Sequence, residues 1–231
     1  MRFIYLPPIN AILEGLYEEK TTIGDIRKRG DFGLGTFNHL DGELVLLDGK
    51  AYQVRIDGKA DAVGDGEHTP FACVTFSQAD TWDEFPDGSE EKGIFDLLET
   101  LIPSPNMLYA IRVEGIFESV KTRSVSRTDN YLPLVEATKR QMVLELSAVG
   151  GSMAGFFTPG FMPSLCAPGY HLHLLTHDRR QGGHLLDCRL RSGRIGIRHI
   201  PRLEVDLPFP LDYLTTQFNR DPKSDLDKAE R

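Results

Sequence analysis

A short histidine-rich segment in the last third of the chain constrains the fold more than any other feature of the 231-residue sequence. His171 and His173 are separated by one leucine, and His184 follows the polar run 178–183, which ends in two glycines. Because alternate side chains of a β-strand project from the same face, the first two imidazoles would share one face of a sheet. The polar run predicts a chain reversal. A return strand that pairs antiparallel would then place His184 opposite His173, with facing Cβ atoms about 5 Å apart.

Three imidazoles on one face of a hairpin indicate a metal site. Each ring can bind a cation at about 2.0–2.1 Å, and three ligands leave a coordination position open for water or substrate. Imidazole suits zinc and several other divalent metals, so the pattern favours a metal more strongly than it favours one element. The alternative is chance, since H-x-H pairs also occur on ordinary strands. His177 is an even number of residues from His173 and would face the same side of a strand, but it falls in the predicted turn. It is therefore not predicted to be a metal ligand.

A cupin-type barrel is a competing interpretation of the H-x-H pair. Such barrels use the same pair with a glutamate a few residues later and a third histidine one hairpin further along. Here the residues 176–178 are Thr-His-Asp, and the next glutamate is Glu204. The cupin interpretation is therefore disfavoured.

Composition narrows the class of protein. A formal net charge of -8 and a sequence pI near 5.4 argue against nucleic acid as the main partner, because phosphate binding needs a concentrated basic surface. No stretch approaches the roughly 20 apolar residues that span a bilayer, and residues 1–8 lack a secretory apolar core. We therefore expect no membrane partner and a cytoplasmic location. Cys73, Cys166 and Cys188 are odd in number and form no C-x-x-C pair, which predicts buried free thiols.

Hydrophobic periodicity and turn signals predict an α/β fold. Strands are expected at 43–47, 51–56, 72–76, 108–120, 143–157, 169–176, 184–190, 194–198 and 202–206, with a tight hairpin at Asp48-Gly49. Helices are expected at 9–19, 22–29, from a capping arrangement of Asp87 and Glu90 to residue 101, at 132–142 and at 209–218, and the tail after Asn219 is expected to be frayed. The expected architecture has two subdomains, about 1–105 and 106–231, built on mixed β-sheets with flanking helices.

Several separated motifs together resemble one family. They are the segment GTFNHLDGEL at 35–44, EGIF at 114–117, TRSV at 122–125, GFFTP at 155–159 and the H-x-H pair with its distant histidine. In this order they resemble acetolactate decarboxylase. The resemblance implies a zinc enzyme of two α/β subdomains, commonly a homodimer, that converts 2-acetolactate to acetoin and CO2. It also implies a place in the fermentation route from pyruvate to acetoin and 2,3-butanediol.

The resemblance assigns roles to individual residues. The three histidines match the metal ligands of the family, Glu43 matches a carboxylate at the metal site, and Arg123 matches the catalytic arginine. A further family carboxylate lies near the C-terminus, where Glu230 is the candidate. Thr36 is expected to line the substrate pocket. Without the resemblance, Glu43 and Arg123 would be interpreted as surface charges and Glu230 as part of an exposed tail.

The chemistry of 2-acetolactate explains why a metal and no organic cofactor is expected. Loss of CO2 leaves an electron pair that flows into the adjacent ketone, and a Lewis acid can stabilise the resulting enediolate. The sequence has neither a phosphate-binding P-loop motif nor a convincing dinucleotide fingerprint. Glu43 and Glu230 could each ligate the metal, take a proton or return one, and the sequence does not choose among these roles. Two alternatives stay open: another metal-dependent lyase or hydrolase on the same site, and a small-ligand-binding relative without catalysis.

Overall fold

Two β-sheets make up most of the structure. The computed structural model describes residues 4–6, 8–88, 92–128, 131–208 and 210–229. The strands are β1 (Ile4–Leu6), β2 (Phe32–Thr36), β3 (Glu43–Leu47), β4 (Lys50–Val54), β5 (Ala60–Ala62), β6 (Phe71–Thr75), β7 (Thr81–Phe85), β8 (Lys92–Gly93), β9 (Leu108–Ser124), β10 (Met142–Thr158), β11 (Gly169–Thr176), β12 (Gly182–Ile200) and β13 (Leu203–Val205). The helices are α1 (Ile9–Leu13), α2 (Ile23–Arg27), α3 (Ile94–Leu101), α4 (Leu134–Ala137), α5 (Leu211–Thr215) and α6 (Pro222–Ala229), with 3-10 turns at Asn38–Leu40 and Thr138–Arg140.

The first sheet is mixed and the second is antiparallel. The first has the strand order β13-β1-β6-β2-β3-β4-β5, in which β1 and β13 are parallel. The second has the order β11-β10-β9-β12-β7, with β8 also paired to β12. Because β11 also pairs with β12, the strands β9 to β12 close on themselves. The predicted fold class, sheets of mixed type with flanking helices, is confirmed.

The two sheets do not divide the chain at residue 105. β7 and β8 pair with β12 of the second sheet, and α3 packs into the core of that sheet. β13 returns to the first sheet beside β1. The chain passes from the first sheet to the second between β6 and β7 and returns between β12 and β13. The proposed subdomain division near residue 105 stays a prediction.

One long strand replaces the two strands expected at 184–190 and 194–198. β12 runs through Gly193, where a Cβ would lie 2.2 Å from the carbonyl oxygen of Glu114 on β9. The glycine therefore allows two backbones to approach closely, and it does not end the strand. Register shifts near Leu185, Leu190 and Ser192 absorb the irregularity as bulges.

Tertiary contacts shorten three of the expected helices and move the start of a fourth. The helix expected at 9–19 ends at Leu13, because Gly15 has φ +89° and packs against the backbone of Leu132. The helix expected to begin near Asp87 begins at Ile94, and Glu90 lies outside the described residues. The other two helices are shorter than expected. The helix expected at 132–142 is α4 followed by a 3-10 turn, and the helix expected at 209–218 is α5.

The expectation of a frayed tail after Asn219 is wrong for the described residues. Helix α6 packs against α1 and α4, and Leu226 and Ala229 are buried in the larger core cluster. Arg220 anchors the start of the helix through ion pairs with Asp225 at 2.8 Å and Glu14 at 3.2 Å. Only long-range packing decides this outcome, because the local sequence of α6 is polar.

The tight hairpin predicted at Asp48-Gly49 is confirmed, because both residues have positive φ between β3 and β4. Thr22 caps α2 in a reciprocal capping box with Asp25, a feature that was not predicted. All three cysteines are free and buried. In the described part of the chain, no helix is long and apolar enough to cross a membrane.

Candidate metal centre

The hairpin of β11 and β12 brings three imidazoles together. His173 lies directly opposite His184 in the strand register, as the sequence predicts, and His171 projects from the same face two residues earlier. One ring nitrogen from each residue lies within 4.8 Å of the other two. The ring centroids are 4.8 to 5.4 Å apart. Three nitrogen donors therefore converge in a way that could hold one metal ion.

The reversal is made by a different part of the segment from the one expected. The turn lies at 177–181, where Arg179 has φ +62°. The two glycines are already part of β12, and their role is close packing. A Cβ on Gly182 would lie 2.2 Å from the Leu174 carbonyl oxygen, and one on Gly183 would lie 2.6 Å from the Arg123 carbonyl oxygen. Side chains at these positions would push the histidine strand away from both neighbours.

Hydrogen bonding prepares His173 to bind a cation. Its Nδ1 lies 2.8 Å from the carbonyl oxygen of Leu44, which can only accept, so Nδ1 carries the proton and the lone pair is on Nε2. That Nε2 lies 3.2 Å from Nε2 of His171. Two nitrogens bound to one tetrahedral ion at zinc distances are about 3.3 Å apart. The spacing of this pair therefore fits a shared ion.

His171 is held in its neutral form. Burial lowers the pKa of His171 to about 3, and the positive charge of Arg123 contributes to the same shift. A neutral imidazole is the form that binds a metal. Near neutral pH, this residue therefore binds a cation without first losing a proton.

Arg123 shares a row with the histidines across the sheet. On β9 it lies opposite His184 of β12, which in turn lies opposite His173 of β11. Three adjacent strands thus present three functional groups side by side. Arg123 is only 4% exposed, and its Nη1 donates a hydrogen bond to Oε1 of Gln141 at 3.1 Å. A buried guanidinium beside a candidate metal site attracts an anion strongly.

Glu43 approaches the histidines from the other sheet. It begins β3, where it lies opposite Thr36 of β2, and both residues are 7% exposed. The Glu43 carboxylate Oε2 is 3.6 Å from Nε2 of His173. The Thr36 hydroxyl donates to the carbonyl oxygen of Gly42 at 2.7 Å, so it holds the loop that delivers Glu43. Glu230 lies outside the described residues, directly after the buried Ala229.

The loop before Glu43 has an unusual backbone. His39 and Leu40 have φ of +63° and +51°, a conformation that costs free energy for residues other than glycine, and Gly42 follows at φ +85°. Leu40 is buried in the cavity beside the histidines. Backbone strain of this kind is concentrated at functional sites, and the sequence alone does not show it.

A cavity of about 50 Å³ lies between the two sheets at this site. Its polar lining contains all the predicted site residues that the structure describes: Thr36, Glu43, Arg123, His171, His173 and His184. The roles predicted from the sequence did not include the rest of the wall, which is mostly apolar: Ile9, Ile12, Gly35, Leu40, Phe71, Val125, Leu134 and Thr138. Leu40 and Val125 fall within the family motifs at 35–44 and 122–125, whereas Ile9, Ile12, Phe71 and Leu134 resemble ordinary core residues in the sequence.

Comparison with known proteins supports the resemblance. The sequence profile described as alpha-acetolactate decarboxylase matches residues 5–220. The chain belongs to the alpha-acetolactate decarboxylase family. An alpha-acetolactate decarboxylase of Klebsiella aerogenes is 40% identical over 224 residues, which is 96% of this chain and 85% of the relative. One of Methanosarcina mazei is 37% identical over 96% of this chain and 78% of the relative.

Solved structures of the alpha-acetolactate decarboxylase family have the same fold. The crystal structure of alpha-acetolactate decarboxylase from Bacillus subtilis superposes with a TM-score of 0.93 over 98% of both chains, at 33% sequence identity. The family predicted from the motifs is therefore confirmed, and the chain is an enzyme of that family.

Proposed function

We propose that this protein decarboxylates 2-acetolactate to acetoin and CO2 in a metal-dependent reaction. The observation that carries the proposal is the convergence of three imidazole nitrogens within 4.8 Å, beside the buried Arg123 and Glu43. The family to which the chain belongs supports this substrate. The product would enter the route to 2,3-butanediol.

The donor set fits a divalent metal, and zinc is our proposal. His173 presents its Nε2 because Nδ1 donates to Leu44, and the low pKa of His171 keeps that ring neutral. Three imidazoles leave coordination positions open, as catalytic zinc sites require. When bound, the metal would supply Lewis-acid stabilisation of the negative charge that develops on the ketone oxygen.

Arg123 is proposed to bind the substrate carboxylate. Its planar set of donors matches a carboxylate in two parallel hydrogen bonds, and its burial strengthens the attraction. The electron pair of the broken C–C bond moves into the ketone to give an enediolate. Arg123 stays close enough to stabilise this anion after CO2 has left.

Glu43 is the proposed proton-handling group, with Glu230 in a similar role. Glu43 can accept the proton of the substrate hydroxyl or return a proton to carbon, and its 3.6 Å approach to His173 also allows it to ligate the metal. Protonation from one face of the enediolate would give chiral acetoin. The apolar walls formed by Ile12 and Leu134 exclude water and suit the two methyl groups of the substrate.

Product analysis tests the proposal directly. The zinc-loaded protein should convert 2-acetolactate to acetoin and CO2, lose this activity on chelation and regain it with zinc. His173→Ala should lose the metal, whereas His177→Ala, which removes an exposed histidine outside the cluster, should keep it. Arg123→Ala should keep the metal and lose turnover by about 100-fold or more.

Two results would count against this function, and a third would count against the role of Arg123. Zinc-loaded protein that binds 2-acetolactate without releasing CO2 would indicate a binding protein. Turnover of other substrates alone would indicate a different metal-dependent lyase or hydrolase. Normal turnover in Arg123→Ala would refute the role of that residue.

The assembly and compartment are proposed on separate grounds. The family resemblance supports a homodimer, which light scattering of the purified protein would test. The three free, buried cysteines are compatible with a reducing cytoplasm. Fractionation of the source cells would test the location.

A further inference from the structure

Gln141 contacts Arg123, the arginine proposed to bind the substrate carboxylate. Its Oε1 accepts a hydrogen bond from Nη1 of Arg123 at 3.1 Å. The oxygen must face the guanidinium, because the amide nitrogen of glutamine is itself a donor and cannot accept. Gln141 is not part of the cavity lining, so its action on a substrate would pass through Arg123.

The strand register explains why Gln141 reaches this group. Arg123 lies opposite Val143 on β10, and Gln141 precedes Val143 by two residues, which makes it the diagonal neighbour of Arg123 on the same face. His184 lies opposite Arg123 on the other side. The guanidinium is therefore placed between the histidine hairpin and the amide of Gln141.

The backbone around Gln141 is tied to the cavity wall. Its N–H donates to the carbonyl oxygen of Thr138 at 3.1 Å, which closes the 3-10 turn before β10. Thr138 is buried and lines the cavity. The acceptor oxygen is thus carried by a fixed turn, and its position is coupled to that of the substrate pocket.

A neutral acceptor has a specific chemical advantage here. The guanidinium has its N–H donors in one plane, so a hydrogen bond from Nη1 to a neutral acceptor restrains that plane without cancelling the positive charge that attracts a carboxylate. A carboxylate in place of the amide would form a stronger, charged bond and would compete with the substrate for the guanidinium. We propose that Gln141 is a positioning residue that orients Arg123 toward the substrate carboxylate while preserving its positive charge.

The proposal rests on the proposed function, and two ligands separate the two ideas. 2-Hydroxy-2-methylpropanoate has the hydroxyl and carboxylate of the substrate but no ketone, so it cannot react. Acetoin has the hydroxyl and ketone but no carboxylate. Isothermal titration of both ligands into the zinc-loaded protein reports on Arg123 without any turnover.

Two variants and one control define the test. Gln141→Leu removes the acceptor, and Gln141→Glu keeps an acceptor but adds a charge. We expect each to weaken binding of 2-hydroxy-2-methylpropanoate by about tenfold or more, the scale of one hydrogen bond to a charged group, with acetoin binding and zinc content unchanged. The KM for 2-acetolactate should rise in parallel. Gln217→Leu, the same substitution at an exposed glutamine, should match the wild type.

The outcomes are distinguishable. Unchanged binding of 2-hydroxy-2-methylpropanoate in both Gln141 variants would overturn the proposal, and so would equal weakening of both ligands, which indicates a structural role. If Gln141→Leu fails to fold, the isosteric Gln141→Glu decides. Failure of the wild type to release CO2 would refute the proposed function alone, since the titrations do not require catalysis.

Discussion

Removal of the Leu226 side chain should release the C-terminal helix α6 from α1 and α4, the helices that wall the cavity. Leu226 is 2% exposed and packs in the same core cluster as Ile9 and Ile12, the residues of α1 that line the cavity. Truncation of a fully buried leucine to alanine costs about 2–5 kcal/mol. The ion pairs of Arg220 lie near the surface and contribute at most about 1 kcal/mol each. Leu226 therefore supplies most of the free energy that holds α6 in place.

The consequence is a local opening rather than global unfolding. A free helix of eight residues is unstable in water, so α6 should unfold once it leaves the core. A loss of 2–5 kcal/mol raises the open population by about 30-fold or more. Limited proteolysis with trypsin measures this population through cleavage after Lys223, which is exposed at the start of α6.

The assay needs a matched control and an activity measurement. Leu214→Ala removes a leucine that is 58% exposed on α5 and should leave the cleavage rate after Lys223 unchanged. Leu226→Ala should also lower the turnover of 2-acetolactate, because α6 carries the chain toward Glu230 and covers α1. Wild-type cleavage and turnover in Leu226→Ala would refute the reasoning that buried packing holds this helix.

Three further predictions concern the site and the core. Gly183→Ala should lower the free energy of unfolding by roughly 1–3 kcal/mol in urea titrations, the scale of a core clash, because its Cβ would lie 2.6 Å from the Arg123 carbonyl oxygen. Gly64→Ala, with no atom within 4 Å, should be neutral, and equal effects of the two substitutions would contradict this account. Glu43→Gln should reduce turnover by about 100-fold or more, and zinc affinity measured in the same variant separates a proton-transfer role from a ligand role. Burial raises the pKa of Cys73 and Cys188 well above the usual thiol value, so both should stay protonated and react slowly with Ellman's reagent at pH 8 in the folded protein; fast reaction before denaturation would show that they are accessible.

Local patterns in the sequence predicted the strands and the histidine hairpin well. The alternation of His171 and His173 with leucine specifies one face of a strand, and the register that pairs His173 with His184 follows once the return strand is antiparallel. The cap of α2 and the turn at Asp48-Gly49 are equally local. Such features depend on the φ and ψ preferences of a few neighbouring residues, so a short window of sequence contains the necessary information.

Other features depend on partners far along the chain. The local sequence around Gly193 predicts a break between two strands. In the structure Gly193 lies inside β12, where the absence of a side chain lets the backbone of β9 approach closely. Gln141 has no signal of its own, and it contacts Arg123 only because β9 and β10 pair in one register. The resemblance to the family named Glu43 and Arg123, but it did not supply the distances between them and the histidines.

The sequence by itself determined the hairpin at Asp48-Gly49, the face on which the imidazoles project and the family. Only the tertiary structure decided that Glu43 reaches His173 from a second sheet, that α1 and α4 wall the cavity, and that the polar segment of α6 docks through Leu226. The physical reason is that hydrophobic burial and close packing join residues separated by most of the chain. Their free energy depends on which surfaces meet, and local propensity contains no information about that meeting.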